Sequence, residues 1–411
     1  MDLFDKFSGL PDRYAEITSI GRNPLGVQME KIKSPTEVVI EGKDVLLAGS
    51  HNYLGLTLDE DCIEAGVEAL RSQGTGTTGS RIANGTYSAH QQLEDKIAKL
   101  MQCDSVILYP SGYQANLGTI AGLAGQDDYI LIDADCHACI YDGCMMSGAT
   151  VVRFRHNSPE SLDQRLSRLD PVNSNKLIIL EGLYSMYGDV APLKEFAEVK
   201  RKHNAYLFVD EAHSVGVYGE SGAGLTAETG VLDDVDFLVG TFSKSLGSIG
   251  GFCASNNPNS DFLRYFSRPY MFTASISPAT VATVSKAIDK MIENPQLRAD
   301  LWANAKRLHR GLESLGFKTC APASPIISVE LPDQATAVRS WNILLDAGVY
   351  VNLAIPPATP KGESLLRSSV SAAHTPAQID RILGAYEEVR RKVNKFRPAE
   401  AEKEVVPSDS E

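Results

Sequence analysis

The sequence predicts an α/β fold: a large domain on a mostly parallel sheet, and a smaller α+β domain towards the C-terminal end. Three observations carry this. Between residues 105 and 253, short apolar runs alternate with helical stretches, the pattern of a sheet covered by helices on both faces. Two of the runs, at 207–209 and 236–240, are apolar almost throughout, as strands buried on both faces are. After two long helical stretches at 277–293 and 296–315, strand-like runs at 326–331, 349–353 and 365–371 and a helix at 376–395 have the mixed order of a second domain. The expected division is an N-terminal arm and small hairpin at 1–55, the large domain at 56–290, the small domain at 291–395, and a disordered acidic tail at 396–411.

Taken in order, residues 1–35 are expected to form short helices. Runs at 36–40 and 45–48 alternate like a hairpin turning at Glu41–Asp44. HNYLGLT follows, with Asn52, Tyr53 and Gly55. Helical spacing covers 59–73, then comes GTGTTGSR, then a helix at 90–100. A strand at 105–109 leads through Ser111, Gly112 and Tyr113 into a helix from Gln114. A strand at 129–133 runs into Asp135 and His137, and another is expected at 150–154 before a helix capped by Asn157 or Ser158. The strand at 177–180 runs into Glu181–Asp189, a helix follows at 192–203, and a strand at 250–254 closes the region.

The net charge of −13 argues against a nucleic-acid surface, which needs a basic stripe, but leaves backbone N–H groups able to bind an anionic small molecule. No run reaches the roughly 18 apolar residues of a membrane span. The N-terminal residues lack the basic and apolar regions of a signal peptide, so the expected compartment is the cytoplasm. The seven cysteines do not make a disulfide framework, and the Cys136–Cys139 pair has no second pair to complete a zinc site, so no metal is expected.

Chemistry is concentrated where the apolar runs end. Asp210 follows the first, and Thr241, Ser243 and Lys244 follow the second in a glycine-rich loop. Open α/β sheets bind ligands at the carboxyl ends of their strands. A lysine and a carboxylate placed there suit pyridoxal phosphate (PLP): the amine takes the aldehyde as a Schiff base, and the carboxylate keeps the pyridine nitrogen protonated. Gly112, between a strand and a helix, offers free N–H groups and a positive dipole end to a phosphate. Asp210-Glu211-Ala212-His213 also spells the DEAH of nucleotide hydrolases. No phosphate loop accompanies it: Gly74, Gly76 and Gly79 follow a helix rather than a strand, and Ser80-Arg81 stands where Gly-Lys-Ser/Thr would end such a loop.

Longer strings carry a resemblance. They are Asn52-Tyr53-Leu54-Gly55, Asp135 to Cys144 (D-x-H-A-x-x-Y-D-G-C), Glu181 to Asp189 (E-G-x-x-S-M-x-G-D), Asp210-x-x-His213, Thr241-Phe242-Ser243-Lys244, Arg268 to Ser275 (RPYMFTAS) and Arg367 within LLRSSVSAAHT. Together, over about 31–395, they resemble the α-oxoamine synthases among fold type I PLP-dependent transferases, with strings most similar to the bacterial serine palmitoyltransferase branch. The resemblance implies Lys244, His137 and Asp210 as catalytic residues, with Lys244 as Schiff-base lysine and general base. It implies a cofactor site of Gly112, Tyr113, His137, Ser185, Asp210, His213, Thr241, Lys244 and Ser275. It assigns substrate binding to Asn52, Tyr53 and Arg367, the last through the amino-acid carboxylate.

The reaction implied is decarboxylative condensation of L-serine with a long-chain acyl-CoA to 3-oxosphinganine, the first step of sphingolipid synthesis. The enzyme would be a homodimer with shared sites and possible peripheral membrane contact for its lipid product. One position departs from the pattern: Ile355-Pro356-Pro357 stands where family members carry Arg-Pro-Pro. Alternatives left open are glycine or alanine with another acyl-CoA or an acyl carrier protein thioester, a transaminase chemistry, and a silent PLP-fold subunit.

Overall fold

The computed structural model describes residues 2–169, 175–359 and 361–393, so the tail expected at 396–411 lies outside them. The chain groups into two compact units. One holds the residues up to Gly49, Asn304–Ser369 and those from His374 on; the other holds Ser50–Ala303 and Val370–Ala373.

Helix α1 (Leu10–Ile20) is followed by strands β1 (Lys31–Ser34), β2 (Glu37–Ile40) and β3 (Lys43–Leu47), an antiparallel meander. The hairpin is tighter than expected. Glu41 and Gly42 take φ of 51° and 69°, and two left-handed residues make the two-residue turn whose twist matches its strands. Strand β1 lies where the sequence suggested helix; its residues are largely exposed, so the strand leaves no burial pattern to read.

The larger unit opens with α2 (Glu60–Gln73), N-capped by the Asp59 side chain, and α3 (Ser88–Met101). Its elements then alternate: β4 (Ser105–Tyr109), α4 (Gly112–Leu123), β5 (Tyr129–Asp133), α5 (Ala138–Ser147), β6 (Thr150–Phe154), α6 (Pro159–Leu166), β7 (Lys176–Glu181), α7 (Leu193–Lys202) and β8 (Tyr206–Asp210). A short α8 (Leu225–Thr229) leads to β9 (Phe237–Thr241) and β10 (Gly251–Ser255). The sheet order is β4-β10-β9-β8-β7-β5-β6. Strands β5 to β9 pair in parallel, and β10 runs antiparallel to both of its neighbours. Strands β7 and β9 are buried at every residue, the consequence of helices packing both faces and the reason their sequences do not alternate. Short helices α9 (Leu263–Phe266) and α10 (Arg268–Met271) precede α11 (Pro278–Glu293), whose start is set by the Ser277 cap and Pro278.

Glu211, the glutamate of the DEAH string, is structural. It is fully buried and accepts hydrogen bonds from the Leu225 and Thr226 backbone N–H groups at 3.0 and 2.7 Å and from the Ser214 and Thr226 hydroxyls. Those donors tie the turn after β8 to the start of α8.

Helix α12 (Gln296–Ser314) leads into the remainder of the smaller unit: β11 (Ile326–Leu331), α13 (Gln334–Asp346), β12 (Val349–Tyr350), β13 (Asn352–Ala354), β14 (Ser364–Ser369) and α14 (Pro376–Lys392). The single strand expected at 349–353 is two. β12 pairs with β3 in parallel, β13 pairs with β14, and between them the Val351 carbonyl accepts from the Trp341 indole N–H at 2.9 Å. Helix α14 starts on a capping box in which Thr375 and Gln378 satisfy each other's backbone N–H groups.

Candidate active site

The carboxyl ends of β7, β8 and β9 open on a pocket of about 340 Å³ in the larger unit. Asp210 is the last residue of β8 and is 4% exposed. Its Oδ2 accepts from Asn116 Nδ2 at 2.8 Å and its Oδ1 from the Ala212 N–H at 2.8 Å. Lys244 lines the same pocket from the loop between β9 and β10.

Helix α4 points its N-terminus at this pocket. Ser111 caps it by accepting from the Gln114 N–H at 3.1 Å, which leaves other first-turn N–H groups without an intrahelical acceptor. The helix begins at Gly112, two residues before the sequence suggested, because a cap at Ser111 fixes the start. A Cβ at Gly112 would sit 2.7 Å from Thr241 Cβ, so glycine is what lets α4 close onto the end of β9. The Thr241 hydroxyl lies there too, donating to the Gly250 carbonyl at 3.0 Å and standing 2.9 Å from Ser243 Oγ.

His137 caps α5, its Nδ1 accepting the Cys139 N–H at 3.2 Å. Nδ1 as acceptor puts the ring proton on Nε2. Burial lowers its pKa and Lys244 pushes the same way, outweighing the nearby Asp210 charge, so the ring is neutral. Tyr113 stands edge-on to it at 6.4 Å and donates its hydroxyl to Asp142. His213 lines the pocket, with Nδ1 2.8 Å from the Tyr53 hydroxyl and its ring edge-on to His51 at 5.2 Å.

The pocket therefore brings together Gly112, Tyr113, His137, Asp210, His213, Thr241 and Lys244. Tyr53 is tied to it through His213. Asn52 is not part of its lining; Nδ2 donates to Thr57 Oγ1 at 2.8 Å. Ser185 sits half-buried in the turn after β7, also outside the lining. Ser275 lies elsewhere in the unit, its hydroxyl 2.7 Å from Thr77 Oγ1 and 2.8 Å from the Gly85 carbonyl. Arg367 belongs to the smaller unit, buried on β14 opposite Ser328 and Asn352, with Nη1 donating to Ser369 Oγ at 3.0 Å. Asn116 and Ile249 also line the pocket and were not singled out in the sequence; Cys139 and Glu181, named there without a role at the site, line it too. The signal for Glu181 was available: it ends the apolar run of β7 as Asp210 ends that of β8.

The turns that carry two of the sequence strings are joined by an ion-pair relay. His156 Nδ1 lies 2.8 Å from Asp133 Oδ1, at the end of β5, and its Nε2 lies 2.7 Å from Asp189 Oδ2. Burial alone would lower the pKa of His156; the two carboxylates outweigh it and raise it to about 10. A folded-state value above the ordinary 6.5 contributes stability that is complete below pH 6.5 and lost as pH rises through about 10. The thermal midpoint of the wild type should exceed that of His156→Gln at pH 6.5, and the difference should shrink steadily towards pH 10. A difference that stays constant with pH would show that the pair is not charged.

The fold and pocket define the class, and the chain belongs to the aminotransferase class I and II family, whose model matches residues 43–385. Its relatives narrow the comparison. Over 95% of this chain and 96% of its own length, the serine palmitoyltransferase of Caulobacter vibrioides is 53% identical. That of Sphingomonas paucimobilis is 49% identical over 95% of this chain and 94% of its own. Among solved structures, Sphingomonas wittichii serine palmitoyltransferase superposes with a TM-score of 0.93 at 50% identity, covering 95% of this chain and 99% of that one. A high-resolution structure of SPT with PLP internal aldimine does so with a TM-score of 0.93 at 48% identity and the same coverage. The 8-amino-7-oxononanoate synthase of Lysinibacillus sphaericus is a more distant relative, 35% identical over 87% of this chain and 92% of its own.

Proposed function

We propose that this chain is a PLP-dependent acyltransferase that condenses L-serine with a long-chain acyl-CoA, releasing CO2 and CoA, to give 3-oxosphinganine. The observation that carries the reading is the pocket itself. A buried, doubly hydrogen-bonded Asp210, Lys244, neutral His137 and the N-terminus of α4 share one site in a chain that is half identical to serine palmitoyltransferases.

The residues fit PLP. Gly112 leaves a close approach beside Thr241 and the first turn of α4 for a phosphate, Asp210 supplies a buried anion for a pyridinium nitrogen, and Asn116 Oδ1 is buried without a hydrogen-bond partner among the described residues. When bound, the cofactor supplies an electron sink for the pair left at the serine Cα.

The chain's own residues do the rest. Lys244 would hold the cofactor aldehyde and supply the base for the Cα proton. His137, neutral with its proton on Nε2, would face the cofactor and donate to the serine carboxylate. His213 and Thr241 hold the ring hydroxyl and the phosphate. Gly112 and Tyr113 take the phosphate as well, while Ser185, Asn52 and Tyr53 complete the assignment made from the sequence strings. Arg367 is assigned the serine carboxylate, a task suited to a guanidinium fork. Ile355, an apolar residue, cannot supply a carboxylate partner, which leaves Arg367 as the guanidinium assigned to that task. The reading further includes a cytoplasmic homodimer in which Ser275 serves the partner subunit's cofactor.

The test is a spectral titration of the yellow protein with serine, glycine and alanine, followed by palmitoyl-CoA. Serine should shift the visible band and palmitoyl-CoA should then release free thiol and 3-oxosphinganine. A response to glycine or alanine alone would move the product away from sphingoid bases. Arg367→Ala should weaken serine binding by about 10- to 100-fold, the worth of a charge-assisted hydrogen bond, measured as Kd from the same titration. An unchanged Kd would place the carboxylate elsewhere.

A further inference from the structure

Glu181 and Asp210 are register partners at the ends of β7 and β8, and both side chains line the pocket. Two carboxyl groups this deeply buried, at 3% and 4% exposure, do not both stay ionised unless each is well supplied with donors. The supply is unequal. Asp210 takes one hydrogen bond from Asn116 and one from the Ala212 backbone. Among the described residues, the Glu181 carboxyl takes one, from the His137 backbone N–H to Oε1 at 2.5 Å.

We propose that Glu181 is the positioning residue for His137, holding it through that backbone hydrogen bond, and that it does so as the uncharged member of the Glu181–Asp210 pair. This rests on the PLP reading of the pocket and adds a residue to it. The groups that face Glu181 agree with an uncharged state. Burial and the charge of Asp210 raise its pKa, Asp133 at the end of β5 adds to them, and the His137 N–H and Lys244 pull the other way without prevailing. The division of labour is chemical. An uncharged Glu181 still accepts the His137 N–H, so it fixes the residue that caps α5 and presents its ring to the pocket. It adds no second negative charge beside Asp210, so the anion available to a pyridinium is a single one. The pattern also accounts for Asn116, whose amide donates to Asp210 and gives that side of the pair the stronger claim on the charge.

The experiment uses the purified full-length protein. Infrared difference spectra in D2O at neutral pD, wild type minus Glu181→Gln, should show the C=O stretch of a protonated carboxyl. A difference made of carboxylate bands alone overturns the proposal, whatever the protein's substrate. In the cofactor-loaded protein, Glu181→Gln keeps a neutral acceptor and should leave the pH midpoint of the visible band where it is in the wild type. Glu181→Ala should raise the serine Kd by about tenfold, and the Gln variant should recover most of that loss. A Gln variant that moves the midpoint by a full pH unit, or binds serine as poorly as Ala, also overturns it. A wild type whose visible band ignores serine overturns the proposed function instead, and the infrared band distinguishes the two failures.

Discussion

Lys244→Ala abolishes steady-state formation of 3-oxosphinganine, with a fall of about 10⁴-fold or more in kcat. A positioned general base contributes about 10²–10⁴-fold by itself, and in the proposed function this lysine would also carry the cofactor. The variant should lose the visible band of the lysine-bound cofactor while keeping its far-ultraviolet circular dichroism, because alanine retains the backbone carbonyl that accepts from the Gly247 N–H and so holds the loop. An added primary amine should restore part of the proton transfer. Turnover within tenfold of the wild type would remove Lys244 from this role.

Asp210→Asn should lower kcat by about 10²–10³-fold, the scale of losing one preorganised electrostatic partner of a developing charge. The amide is nearly the same size and can still meet the Ala212 N–H, so the thermal midpoint should change little. What the variant removes is the carboxylate proposed to face the ring nitrogen. The variant should bind PLP and serine yet stall before carbon–carbon bond formation, seen as normal serine Kd with depressed thiol release. Retention of more than a tenth of wild-type kcat would show that the charge on Asp210 is not needed.

Much of the site was legible because it is built from strand ends. Apolar runs of about five residues with a polar last residue announced Asp210 and Thr241, and the glycine-rich loop pointed to Lys244. The residues missed are those whose meaning depends on pairing between strands or on a helix turn. Asn116 is one turn past Gly112 inside an ordinary helix, and only the packing of α4 across the sheet puts its amide 2.8 Å from Asp210. Glu181 opens one of the sequence strings and ends an apolar run, but its pairing with Asp210 depends on strand register, which the run does not encode. The split of 349–353 into β12 and β13 was hidden for a similar reason: a continuous strand-like run holds no mark of the sheet each half will join. Arg367 came from its flanking string, since an arginine on a strand is otherwise silent.

The reversal of direction at β10 has a mechanical meaning. Lys244 rides a hairpin return rather than a crossover, and that return is laced to itself: Phe242 N–H to the Gly250 carbonyl, Ser248 N–H to the Phe242 carbonyl and Gly247 N–H to the Lys244 carbonyl, each at 2.9 Å. The flanking strands lie inside the sheet, not at its rim. The lysine is thus a crane arm on a fixed mast. In the proposed roles, moving between cofactor and proton would then require side-chain torsions, which turn over in picoseconds to nanoseconds, rather than a loop opening. The mast should therefore superpose between free and serine-bound forms, while the arm alone changes its bearing.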